Sequence, residues 1–149
     1  MCGRASDAID PTGYGPYEFS HIRIPWRKLY NISPGQEIRI ARRVDGAPDH
    51  RYVRWGLVPF FAKAEPDALP AENGHKTPHY VFMPDHQPFA LAGLWDRWTS
   101  NDGAHELVSC TVLTRASGEF MRALHSREPV VVPEDRCGAE GPECVEPAA

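Results

Sequence analysis

The sequence is punctuated by 15 prolines and 12 glycines in 149 residues, which leaves little chain in which a long helix could grow. Between the breaks lie short stretches suited to strands. "QEIRIARR" alternates Ile38 and Ile40 with Glu37 and Arg39, the period of a half-buried strand. Past the turn signals Asp45-Gly46 and Pro48, "HRYVRWGLVP" puts Val53, Trp55 and Leu57 on one side and Tyr52 and Arg54 on the other, so the two segments predict a hairpin. "HYVFM", "PFALAGLW", "LVSCTVLT" and "PVVVP" predict further strands, each limited by Pro, Gly or Asp. One helix stands out, with Ser117 as its cap, Glu119 in its first turn and Phe120 and Leu124 four residues apart on one face. His125 falls at its last turn, where the helix dipole favours a protonated imidazole. A simple C-terminal cap is the competing reading of that histidine and, on these residues alone, the stronger one.

A chain of this length holds one core and therefore one site. Without an apolar run fit for a membrane span or a secretory leader, it reads as soluble and cytoplasmic. The four cysteines, Cys2, Cys110, Cys137 and Cys144, are too irregularly spaced for a disulfide framework. Cys110 sits in an apolar run and reads as a buried small hydrophobe, while Cys137 and Cys144 have no histidines at zinc spacing. His75 and His79 have a helical pair's spacing, but Pro78 denies them the helix. The expectation is therefore no metal and no cofactor.

The net charge of −4 conceals an uneven distribution. Residues 134–149 hold five acids and one base, and this tail, from Arg136 onward, reads as disordered. Ser20 to Lys63 holds nine Lys/Arg against three acids, interleaved with Trp26, Tyr30, Tyr52 and Trp55. Such a mixture suits single-stranded nucleic acid, whose phosphates need counter-charge and whose bases need flat surfaces. A solvated strand face accounts for the same composition.

The chain opens "MCGR". If Met1 is trimmed, Cys2 carries an α-amine beside its thiol, a pair no other position offers. An α-amine has a pKa of about 7.7–8.0, so a useful fraction is neutral and nucleophilic near neutral pH. Amine and thiol can add in turn to one aldehyde carbon and close a thiazolidine ring.

"MCGR", "YNISPGQ", "RWGLVPFFAK", "KTPHYVF", "PFALAGLWDRW", "SCTVLTRAS" and "LHSREPVVVP" follow one another in an order that resembles the SRAP family, the SOS response-associated peptidases, which recognise abasic sites in single-stranded DNA. The resemblance runs from Met1 to about Pro133. It implies a β-rich α+β fold with a distorted antiparallel, barrel-like sheet and a few peripheral helices, covering residues 1–135. It implies a monomer whose Cys2 bonds covalently to the ring-opened sugar of an abasic site, with peptidase action on the chain's own Met1 and lyase action on the DNA. His125 then matches the family's active-site histidine. Arg4 and Arg127 match phosphate contacts, Trp55 a surface that stacks or wedges bases, and Thr114 a hydroxyl lining the cleft. For Trp55 a place in the core is the competing reading, and for Arg127 a surface ion pair.

The family also carries an Asn-Ala-Arg motif and a strand ending Gly-Phe-Tyr-Glu-Trp, and here neither occurs between about residues 60 and 78. Without the glutamate, proton transfer loses a partner worth about 10²–10⁴ in rate. Glu72 is the nearest carboxylate, in a stretch that reads as a turn. Losing a strand should also expose unpaired sheet backbone. Two other functions stay open: a single-stranded DNA binder that forms no bond, and an N-terminal-cysteine glutamine amidotransferase, which also begins Met-Cys-Gly but has an apolar residue in place of Arg4 and a longer domain.

Overall fold

A computed structural model of the chain describes residues 4–7, 25–64 and 80–133. The tail after residue 133, Glu72, His75, His79 and the stretch between residues 65 and 79 lie outside the described residues. The fold is a β-rich α+β arrangement with a curled, half-barrel sheet, as expected. In chain order the strands are β1 (Ala5–Asp7), β2 (Leu29–Ile32), β3 (Glu37–Val44), β4 (Ala47–Trp55), β5 (Ala90–Leu91), β6 (Gly93–Thr99), β7 (Glu106–Val112) and β8 (Thr114–Ala116). The helix α1 (Glu119–Arg122) and strands β9 (Arg127–Pro129) and β10 (Val131–Val132) follow. No helix among the described residues is long and apolar enough to cross a membrane.

The expected hairpin is β3–β4, running in register from Glu37↔Arg54 to Val44↔Ala47. Asp45 and Gly46 form its turn with φ of 51° and 77°, the double left-handed conformation that a right-twisted two-residue hairpin requires. Pro48 lies inside β4 rather than in the turn. It can do so because β7 joins β4 only at Arg54 and Trp55, leaving the other end of β4 with one neighbour.

The central sheet has the order β3-β4-β7-β6. Its β4–β7 junction is parallel, so the sheet is mixed where an antiparallel one was expected. That junction holds the core: Val53, Trp55, Val58, Trp98 and Cys110 are buried, and Ser109 is fully enclosed. Three hydrogen bonds tie the irregular segment after β4 across the sheet. Ser109 Oγ accepts from the Val58 N–H at 2.8 Å, Asp96 Oδ2 from the Phe60 N–H at 2.8 Å, and Trp98 Nε1 donates to the Ala62 carbonyl at 2.8 Å. Side chains of β6 and β7 thus satisfy backbone groups that no strand partners.

Two expected elements differ. "HYVFM" is not a strand: described from Tyr80, it runs irregularly into a 3₁₀ turn at Pro84–His86, with Tyr80 69% and Phe82 51% exposed. An apolar alternation becomes a strand only when a neighbour takes its hydrogen bonds, and no described strand pairs with this segment. Its rings stack on one another instead, Phe82 lying between Tyr80 at 5.7 Å and His86 at 4.3 Å. The helix is a single four-residue turn, capped by Gly118 rather than Ser117. Phe120 and Leu124 are exposed, since so short a helix lays no face on the sheet, and the Ser117 hydroxyl is buried without a hydrogen-bond partner.

Candidate functional site

Strands β8 and β9 form an antiparallel hairpin with α1 as its connection, in register Thr114↔Pro129, Arg115↔Glu128 and Ala116↔Arg127. Residues two apart on a strand share a face, so Thr114 lies on the same side as Ala116. Arg127, opposite Ala116, therefore reaches Thr114 along the diagonal. Its Nε donates to Thr114 Oγ1 at 2.8 Å and its Nη2 to the Thr114 carbonyl at 2.6 Å. Both acceptors are neutral, and among the described residues Arg127 makes no ion pair. No described acid answers the surface-ion-pair reading of this residue, and among the described residues the charge is not neutralised.

His125 lies two residues upstream, its N–H closing onto the Met121 carbonyl at 2.9 Å. Four helical residues supply little of the aligned dipole expected at this end. The backbone of Arg127 orients the ring instead. His125 Nδ1 lies 3.0 Å from both the N–H and the carbonyl oxygen of Arg127. A peptide N–H can only donate and a carbonyl can only accept, so Nδ1 meets the Arg127 N–H when it carries no proton and the Arg127 carbonyl when it does. In the imidazolium form Nδ1–H would turn to the carbonyl. Either charge state finds a partner without moving the ring.

Glu128 braces the hairpin, a role the sequence does not signal. Its carboxylate accepts from Arg115 Nε at 2.8 Å and from the Gly118 N–H at 3.2 Å, joining both strands to the start of α1. Only the register across 13 residues, with Arg115 opposite Glu128, reveals it.

The remaining candidates fall elsewhere. Cys2 lies outside the described residues. Arg4 is exposed, immediately before β1, in the separate β1–β2 pair. Trp55 is 4% exposed, and its backbone N–H and carbonyl bond to Gln36 and Gly35. A surface for stacking bases needs an accessible ring face, so here Trp55 is a core residue. Cys110 is buried as expected, and burial pushes its thiol up to about 11.

Part of the basic stretch is answered by acids within the fold. Arg27 pairs with Glu37, Arg39 with Asp7, and Arg42 and Arg51 both with Asp49. Arg42 is buried against the Trp95 ring, 3.7 Å from its centroid, and Arg27 covers Tyr52 at 4.4 Å. Lys28 over Tyr30, at 5.5 Å, keeps a basic-aromatic pair at the surface. Composition counted these charges without their partners.

The family model for SOS response associated peptidase (SRAP) matches residues 70–139, the span that contains Thr114, His125 and Arg127. The chain is similar to the abasic site processing protein YoaM of Bacillus subtilis, 27% identical over 147 residues that cover 74% of this chain and 64% of that protein. It is also similar to the abasic site processing protein YoqW of Bacillus phage SPbeta, 24% identical over 144 residues covering 71% and 63%. The chain thus spans less than two thirds of the length of these curated relatives. A crystal structure of a Bacteroides thetaiotaomicron protein shares the fold, with a TM-score of 0.61 and 18% identity over 91% of this chain and 72% of that one. The family model falls on the hairpin that holds the candidate residues, and the relatives align over most of the chain; together these similarities support a member of the SRAP family.

Proposed function

We propose that this chain processes abasic sites in single-stranded DNA and captures them covalently through Cys2 once Met1 is removed. The observation that carries the reading is the β8–β9 hairpin, where a cation with no acidic partner among the described residues sits beside an oriented histidine within the family-matched span. Arg127, with Arg4, would hold phosphates flanking the lesion, Thr114 would line the cleft, and His125 would move protons.

The chemistry balances without a cofactor. The Cys2 amine adds to the C1 aldehyde of the ring-opened sugar, and the carbinolamine loses water to give an imine. The Cys2 thiol surrenders its proton to His125, the thiolate adds to the imine carbon, and the ring nitrogen is protonated as the thiazolidine closes. The sum is aldehyde plus aminothiol giving thiazolidine plus one water. The family's glutamate has no counterpart in this sequence, so the expected adduct forms slowly.

Intact mass spectrometry of the protein, alone and after incubation with an abasic single-stranded oligonucleotide, tests the proposal. The expected result is a chain lacking Met1 that gains the oligonucleotide mass less one water, with no adduct in Cys2→Ala. Cys110 does not compete, since it is buried and its thiol is pushed up to about 11. An adduct undiminished in Cys2→Ala would refute the mechanism. Binding with no adduct at any time would leave the chain a single-stranded DNA binder, a reading favoured by the absent family motifs.

A further inference from the structure

We propose that Thr114 is the positioning residue of this site, acting on DNA only by locking the Arg127 guanidinium in one orientation. The inference rests on the phosphate-binding reading of Arg127 above and assigns Thr114 a role beyond lining the cleft. An arginine on an exposed strand samples many rotamers, and freezing one on binding weakens affinity by about threefold to tenfold. Here the freezing occurs before binding. Thr114 takes the Nε–H on its hydroxyl and one Nη2–H on its carbonyl, two acceptors spaced for the planar fork. The N–H groups on Nη1 and the second on Nη2 are not used by Thr114, and the fork's rigidity fixes where they point.

The choice of acceptors matters. A carboxylate in Thr114's place would orient the arginine equally well but neutralise it, as Glu128 does for Arg115 on the neighbouring rung. A hydroxyl and a carbonyl orient it and leave its charge for the ligand. The pairing also explains a threonine at this position: β-branching suits the strand, and the hydroxyl supplies the acceptor that valine, its near-isostere, lacks.

The test is binding of a single-stranded oligonucleotide carrying a tetrahydrofuran abasic analogue, which has no aldehyde and so reports noncovalent affinity. Thr114→Val should weaken binding about threefold to tenfold. Thr114→Ser, which keeps the acceptor, should return it to within about twofold of the native value. Arg127→Met should lower the magnitude of the log K against log salt slope by about 0.7, the value for one phosphate on a single strand. In the Arg127→Met background, Thr114→Val should add less than about twofold. An equal Thr114→Val effect in both backgrounds would mean that the hydroxyl touches DNA itself, and failure of serine to rescue would mean a packing role; either overturns the proposal. Native affinity in Thr114→Val while Arg127→Met binds weakly also overturns it, and leaves the phosphate reading standing. Unchanged affinity and salt slope in Arg127→Met removes the phosphate reading itself.

Discussion

Asp49→Asn should be among the most damaging single-atom changes outside the site. The Arg42 side chain is 1% exposed, its Nε lies 2.7 Å from Asp49 Oδ2, and Nη1 and Nη2 have no hydrogen-bond partner. Beyond the carboxylate, its only described support is the Trp95 ring. Converting the carboxylate to an amide leaves a buried cation without its counter-charge, a change that costs roughly 3–5 kcal/mol when both partners are enclosed. Asp49 is 22% exposed and also meets the half-exposed Arg51, so water reaches one end of the pair. The lower figure, about 2–3 kcal/mol, is the appropriate expectation. For a chain of this size that lowers Tm by roughly 4–12 °C. Urea unfolding at pH 7 should show the midpoint falling with the slope unchanged. Arg51→Met, which removes the exposed partner, should cost less than about 1 kcal/mol. Arg42→Met combined with Asp49→Asn should recover most of the loss, because an apolar side chain against Trp95 needs no counter-ion. If Asp49→Asn costs no more than Arg51→Met, the pair is not buried in the sense argued and the reasoning fails.

Two further outcomes follow from the same geometry. Burial alone would raise the Asp49 carboxyl, but the bonds from Arg42 and Arg51 outweigh it and hold the carboxyl below its ordinary 3.8; its stabilisation is present above that value and lost as pH falls through the folded one. Asp7 is opposite in sign: burial pushes its carboxyl up against the pull of Arg39 and Trp26, so its contribution is present below 3.8 and lost as pH rises through the folded value. Melting curves between pH 3 and 6 should therefore lose the acid limb below about pH 3.8 in Asp49→Asn, and an unaltered limb would count against the pairing. Gly93→Ala would place its Cβ 2.7 Å from the Thr111 carbonyl oxygen, a backbone atom that cannot turn aside. A loss of roughly 1–3 kcal/mol in the same urea assay is expected, and a neutral change would show that the β6–β7 pair relaxes freely.

The local signals in this sequence were sufficient for what local physics decides. Alternation around Ile38 and Ile40, a dipeptide that tolerates two left-handed residues, and β-branched runs limited by proline predict the β3–β4 hairpin and strands β6 and β7. Cys110 reads correctly as core because it lies in the mainly apolar run "LVSCTVLT". Motif order alone pointed to His125 and Arg127, since the two lie in one short run of chain.

What the sequence left undecided is everything that depends on who sits opposite. The alternation in "HYVFM" marks two faces but not whether a strand arrives to pair with them. Nine basic residues between Ser20 and Lys63 carry no sign of which acids will meet them, and Asp49 takes two of them only once the hairpin closes. Trp55 occupies the same position in the sequence whether exposed or enclosed; the parallel arrival of β7 beside β4 encloses it. The bond from Arg127 to Thr114 spans 13 residues and exists because one hairpin register makes them diagonal neighbours. Periodicity is a property of single segments, whereas partnership is a property of pairs, and the energy that selects the pairs is gained only when the chain has closed around them.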